Sequence, residues 1–255
     1  MKNTIKIYFL FASVIVASCH SQDQKFVDLT KISNDFDVSE FYKNKVKQTN
    51  ETIATDPKSV GKEKALELLN NAFFVKDTLG YFKTDGRLPT DLSLEPTNDW
   101  MVRNKEPTEI FGYGYKTVAH DPEKDTLAIF NTISFPKMDM VEDRKGNLTY
   151  LEVGKTSKTI HDFNKIKEYL SKNAKKITVD DNDSNAFYCE DQSFYYFLSK
   201  REGEEEEVSY DSQGSRKAKS INVIEINLAM FEKSYIKKME SLQIYSPGNQ
   251  FWKKQ

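Results

Sequence analysis

Cysteine, histidine, proline and glycine are all scarce in this chain of 255 residues, which has 2, 3, 7 and 10 of them respectively. Two cysteines cannot build the disulfide frame that small secreted domains rely on, so stability has to come from a packed core. The histidines, His20, His120 and His161, form neither a His-x-x-x-His nor a Glu-x-x-His pair, which removes support for a helix-borne zinc site. No Gly-x-Ser-x-Gly is present, so the serine hydrolase elbow is missing. Gly154-Lys155-Thr156 carries Thr149 where a phosphate loop needs its first glycine, and the segment reads as a loop before a helix. Acidic and basic residues nearly cancel at 39 against 37, a net charge of −2, which argues against a general nucleic-acid binder. A mean hydropathy of −0.66 excludes a polytopic membrane protein.

Large rings are abundant instead: 17 Phe, 13 Tyr and 2 Trp. Each can bury roughly 150–250 Å², enough to compensate for modest aliphatic content. At the N-terminus, Lys2 and Lys6 precede the apolar run Ile7–Val16 and then Ala17-Ser18-Cys19. The run is shorter than the roughly 20 residues that span a bilayer, and it has the layout of a signal peptide. Val16-Ala17-Ser18-Cys19 resembles the lipobox of bacterial lipoproteins, with Val16 in place of the commoner Leu. The resemblance covers the first 19 residues only. It implies cleavage before Cys19, lipid on Cys19, and a membrane-anchored protein of the cell envelope facing periplasm or cell surface. Ordinary secretion with cleavage near Ser18 is the alternative. With Cys19 acylated, Cys189 is the only thiol left. Its neighbours Phe187, Tyr188 and Phe194 predict a buried, inert group.

Residues 1–18 thus read as signal peptide, 19–36 as lipid anchor and tether, 37–245 as the globular part and 246–255 as a C-terminal tail. The globular part reads as one domain or as two lobes divided near 155. Asp37 followed by Glu40 predicts a helix cap, with Val38, Phe41, Tyr42 and Val46 on the inner face. A second helix is expected over about 60–73. From Phe73 to Val153 strands and turns dominate. Asp125–Phe135, apolar on both faces, predicts a central strand, and Lys145-Gly146-Asn147 predicts a hairpin turn. Thr159 and Asp162 predict a second cap, before a helix with Ile160, Phe163, Ile166 and Leu170 in a stripe. Strands are expected at Ala186–Cys189, Phe194–Lys200 and Ile221–Leu228, with Glu202–Ser220 as an exposed hairpin arm. Leu228, Phe231, Tyr235, Met239 and Leu242 predict a final helix. Phe251-Trp252 either docks on the domain or belongs to a loose tail. The fold class is α+β, a largely antiparallel sheet with packed amphipathic helices.

Candidate sites are few. Asp180, Asn182, Ser184 and Asp191 fall at places one, three, five and twelve of a calcium-loop count, with Asn185 in the glycine place. The competing reading is a solvated turn, and no other cofactor is expected. Glu190, Asp191 and Glu225 are the carboxylates best placed for a glycosidase-like pair. A thiol hydrolase would pair Cys189 with His120 or His161. Phe111, Tyr113 and Tyr115 should share one strand face, as a core strand or as a platform for a glycan or peptide. Glu204, Glu205, Glu206 and Glu207 form an acidic run, as a solvated arm or as a patch for a basic partner. The expectation is a lipid-anchored, non-catalytic binding or accessory module for a protein, peptide or envelope component. An immunity protein that neutralises a toxin is one concrete version, and an envelope hydrolase using a carboxylate pair or a thiol is the alternative.

Overall fold

The computed structural model describes residues 25–55, 72–81, 109–179, 185–210, 216–242 and 248–252. In chain order they form β1 (Val27–Asp28), α1 (Val38–Ala54), β2 (Phe73–Tyr81), β3 (Glu109–Ala119), β4 (Ala128–Phe130), β5 (Ile133–Phe135), β6 (Lys137–Asp143) and β7 (Leu148–Ser157). Then come α2 (His161–Asn173), β8 (Lys175–Lys176), β9 (Ala186–Glu190), β10 (Phe194–Tyr210), β11 (Arg216–Glu232), α3 (Lys233–Ser241) and a short 3-10 turn, Asn249–Phe251. The fold is α+β. An eight-stranded sheet runs β2-β3-β6-β7-β11-β10-β9-β8, and every pairing in it is antiparallel. A three-stranded sheet, β1-β4-β5, is mixed, because β1 lies parallel to β4. Strand β7 spans position 155 and pairs with β6 on one side and β11 on the other.

Strand alternation gives the large sheet two apolar faces. Met138, Met140, Leu151, Val153, Phe187, Cys189, Phe194, Leu198, Ile226, Leu228 and Met230 share a core with α1, α2 and the small sheet. Val141, Tyr150, Tyr188, Ala229 and Phe231 point the other way and pack with Ile236 and Met239 of α3 and with Phe251. The Phe251 ring stacks on Tyr195 at 4.8 Å, so this aromatic docks on the sheet.

Helix α1 starts as its sequence predicts, with Asp37 Oδ1 accepting the Glu40 N–H at 2.9 Å. Helix α2 buries Phe163, Ile166 and Leu170 but is not capped by a side chain at Ile160, and Ile160 itself is exposed. Asp162 turns away from the expected capping role to pair with Lys155 at 2.6 Å. Lys145-Gly146-Asn147 does form a turn, with Gly146 at φ 87°.

Three expectations are corrected. Asp125–Phe135 is not one central strand: Asn131 and Thr132 take positive φ, 43° and 75°, and fold β4 back on β5 in the small sheet. Phe73 opens β2 and does not end a helix; the rest of the expected 60–73 helix, up to position 71, lies outside the described residues. Leu228 and Phe231 belong to β11, so the last helix starts only at Lys233, and Leu242 is exposed.

Candidate functional site

The sheet face that carries α3 is only partly covered by described residues. On it, register places Lys137 opposite Gly154, Gly154 opposite Asn227 and Asn227 opposite Ser199, a polar row across four strands. Gly154 makes room in this row for its neighbour's side chain: a Cβ there would meet Asn227 Oδ1 at 2.8 Å. The neighbouring row sets Asp139 of β6 directly opposite Glu152 of β7. Like charges so placed repel, with Cβ atoms about 4.5–5.5 Å apart. Asp139 is buried, and burial holds its carboxyl above the usual range despite the N–H that Thr117 donates to it at 2.8 Å. The Glu152 carboxylate accepts a hydrogen bond from the buried Tyr150 hydroxyl, whose pKa is raised by burial and then by Glu152. Two carboxyl groups in unlike surroundings are a pattern suited to acid–base work. The sequence offered one signal for the pair: in Lys137-Met138-Asp139-Met140, alternation sends both methionines to the core and Asp139 to the opposite face.

The carboxylates singled out from sequence are not brought together. Glu190 lies between Lys233 at 2.8 Å and Lys175 at 3.6 Å, and the first of these lowers its pKa most. Glu225 is held by Arg201 at 2.7 Å, two strands away from Glu190. Asp191 is committed to the β9–β10 turn: Oδ1 accepts the N–H groups of Ser193 and Phe194, both at 2.8 Å, and Oδ2 accepts the Tyr196 hydroxyl at 2.5 Å. The other calcium-loop candidates, Asp180, Asn182 and Ser184, and the lipidation candidate Cys19 lie outside the described residues. Among the described residues, no three His, Cys, Asp or Glu side chains gather as a metal-binding set.

Cys189 points into the core that carries α1 and α2. It is fully buried, and burial pushes its thiol up to about 12. His120 and His161 are both exposed. The aromatic trio divides. The ladder between β2 and β3 slips between Leu79, opposite Gly112, and Gly80, opposite Ile110, leaving Phe111 as the extra residue of a bulge. Phe111 therefore packs with Leu79 and Val141, while Tyr113 and Tyr115 pack on the opposite face. They form no common platform. Gly112 is required by closeness: a Cβ there would sit 1.9 Å from the Glu142 carbonyl oxygen.

The acidic run lies in regular structure. Strands β10 and β11, each of 17 residues, pair without a break from Phe194 opposite Glu232 to Tyr210 opposite Arg216. Strand β9 accompanies β10 only as far as Ser199, and β7 accompanies β11 only to Ile224. Beyond both points, from Gly203 opposite Val223 to Tyr210 opposite Arg216, the hairpin continues as a two-stranded arm about 26 Å long, at about 3.3 Å per residue. Glu206 pairs with Arg216 at 2.6 Å, Glu204 accepts from Ser220 at 2.9 Å and Glu207 lies 3.5 Å from Lys158. At the base of the arm, Phe197, Ser199, Arg201, Glu225 and Asn227 line a shallow groove of about 650 Å³. Compared with protein families, curated proteins and solved structures, the chain matches none of them.

Proposed function

We propose that this is a lipid-anchored protein of the bacterial cell envelope that binds another protein through the β10–β11 arm. An immunity role, in which the arm grips and neutralises a toxin, is its most concrete form. The observation that carries the reading is the length of the arm. Strands of 17 residues exceed the usual 3–10, and a two-stranded ribbon is at best marginally stable in water, so folding of the core alone does not account for it. The anchor rests on Lys2, Lys6, the Ile7–Val16 run and Cys19.

The test uses cells expressing the full chain and a variant in which residues 202–222 are replaced by a two-residue turn. In-cell cross-linking is expected to yield a discrete partner with the full chain and to lose it with the shortened one. Identical cross-linked products from both would remove the arm from the mechanism. Cys19→Ser is expected to abolish labelling by an alkyne fatty acid, and equal labelling would remove the anchor.

The Asp139–Glu152 pair favours a second reading, an envelope hydrolase with a carboxylate pair. It predicts that Asp139→Asn and Glu152→Gln each abolish turnover of an envelope polysaccharide while the fold survives. Any turnover that persists in both variants excludes these groups.

A further inference from the structure

We infer that the outer edge of β10, from Glu202 to Val208, receives a lysine- and arginine-rich extended segment of the partner as an added β-strand. The inference rests on the reading of the arm as the contact element and specifies what the arm recognises.

Hydrogen-bond direction along β10 follows from its base. Lys200 donates its N–H to Asn185 O at 3.0 Å, and Phe194 O accepts from Asp191 N at 3.0 Å, so even-numbered residues turn their backbone groups away from β11. Peptide groups alternate strictly along a strand. The N–H and C=O groups of Glu202, Glu204, Glu206 and Val208 therefore point outward, and those of Arg201, Gly203, Glu205 and Glu207 bond to β11. No described strand pairs with β10 beyond Ser199 on that side. A row of outward donors and acceptors of this kind is a template for another strand.

Charge selects the occupant. Glu202, Glu204 and Glu206 project on one face of the ribbon, Glu205 and Glu207 on the other, so both faces of this edge are acidic. Among the described residues Glu202 and Glu205 have no ion-pair or hydrogen-bond partner, and the three remaining pairings are solvent-exposed. Cβ atoms of an added strand would stand about 4.5–5.5 Å from the Cβ atoms of the glutamates opposite, within reach of their carboxylates. A second copy of β10 would set glutamate against glutamate, which excludes self-pairing along this edge. A segment with basic residues at consecutive positions satisfies both faces at once.

Even and odd positions allow a clean test. Proline at an outward position removes only an outward N–H and is tolerated at an edge, whereas proline at an inward position removes a bond to β11. The probe is a fluorescent ten-residue peptide of Lys, Arg and Thr, added to the full chain, with an analogue of equal charge that is N-methylated at consecutive residues, so that neither of its edges can pair. The parent peptide is expected to bind and to protect the amides of Glu204, Glu206 and Val208 from hydrogen exchange. The N-methylated analogue should bind about tenfold or more weakly, as should the parent to the Glu204→Pro/Glu206→Pro protein relative to a Glu204→Gln/Glu206→Gln protein of the same charge, because backbone bonds are lost. Equal affinity for the two peptides would show charge attraction only and overturn strand addition, as would absence of binding or unchanged binding to the proline variant. If the peptide fails while the shortened arm still loses its cross-linked partner, the arm reading stands and the edge inference falls.

Discussion

Asp139 and Glu152 face each other across β6 and β7, and the buried member of the pair holds its proton more tightly than a free aspartate would. Burial raises the folded-state pKa of Asp139 above the unfolded value of about 3.9. Its contribution to stability is then complete below about pH 4 and is lost as pH rises through the raised folded value. Once ionised, Asp139 is a buried, like-charged neighbour of Glu152. Asp139→Asn keeps an oxygen for the Thr117 N–H and removes that charge. Its melting temperature is expected to exceed that of the parent at pH 7 by about 2–4 °C, the shift that ~1 kcal/mol gives in a protein of this size. The gain should shrink toward zero near pH 4. A gain that does not change between pH 4 and pH 8 would show that charge is not its cause.

Cys189 tests the packing of the other face. The thiol lies in β9 between strands β10 and β8, with a relative exposure of 0% and its pKa pushed up to about 12 by burial first and by Asp191 second. A thiolate is the reactive form, so both access and ionisation oppose reaction. At pH 8 a disulfide reagent is expected to label native protein only at the rate of local or global opening, and urea-unfolded protein within the mixing time. Stoichiometric labelling of native protein in seconds would show an open path to the sulfur.

The contrast between faces also explains what could be read from sequence. Phe163, Ile166 and Leu170 lie at helical spacing over a single buried face, and Asp37 reports its own cap, so α2 and the start of α1 were legible. The division of Phe111 from Tyr113 and Tyr115 was not, because the bulge at Phe111 is defined by how β3 pairs with β2 and leaves no mark on a period-two pattern. Leu228 and Phe231 fit a helical stripe only because they occupy opposite faces of a strand that is buried on both sides. The sequence of the arm reads as a hairpin, but its strand content is hidden by glutamate and lysine, which are depleted in strands. What orders it is cross-strand pairing, which depends on register. Asp139 and Glu152 are likewise 13 positions apart in sequence, and only the β6–β7 register makes them neighbours.

A last prediction concerns the buried polar pair behind the β2–β3 edge. The Tyr115 hydroxyl donates to Glu142 Oε1 at 2.9 Å, and Glu142 is 3% exposed. Among the described residues its Oε2 has no hydrogen-bond partner. Lys76 Nζ stands 3.8 Å from Oε1 and sits over the Tyr113 and Tyr115 rings at 4.4 and 5.0 Å. Tyr115→Phe therefore leaves a buried carboxylate with no neutral donor, a loss of about 1–3 kcal/mol. Glu142→Met strands the hydroxyl but also removes the buried charge, so it should cost less. In Tyr115→Phe/Glu142→Met neither partner is left unsatisfied, and the double variant is expected to be more stable than Tyr115→Phe alone. Urea unfolding of the four proteins gives the coupling directly, expected at about 1 kcal/mol or more. Additive losses would mean that the hydroxyl and the carboxylate do not depend on each other, and that Glu142 draws its stabilisation from Lys76 instead.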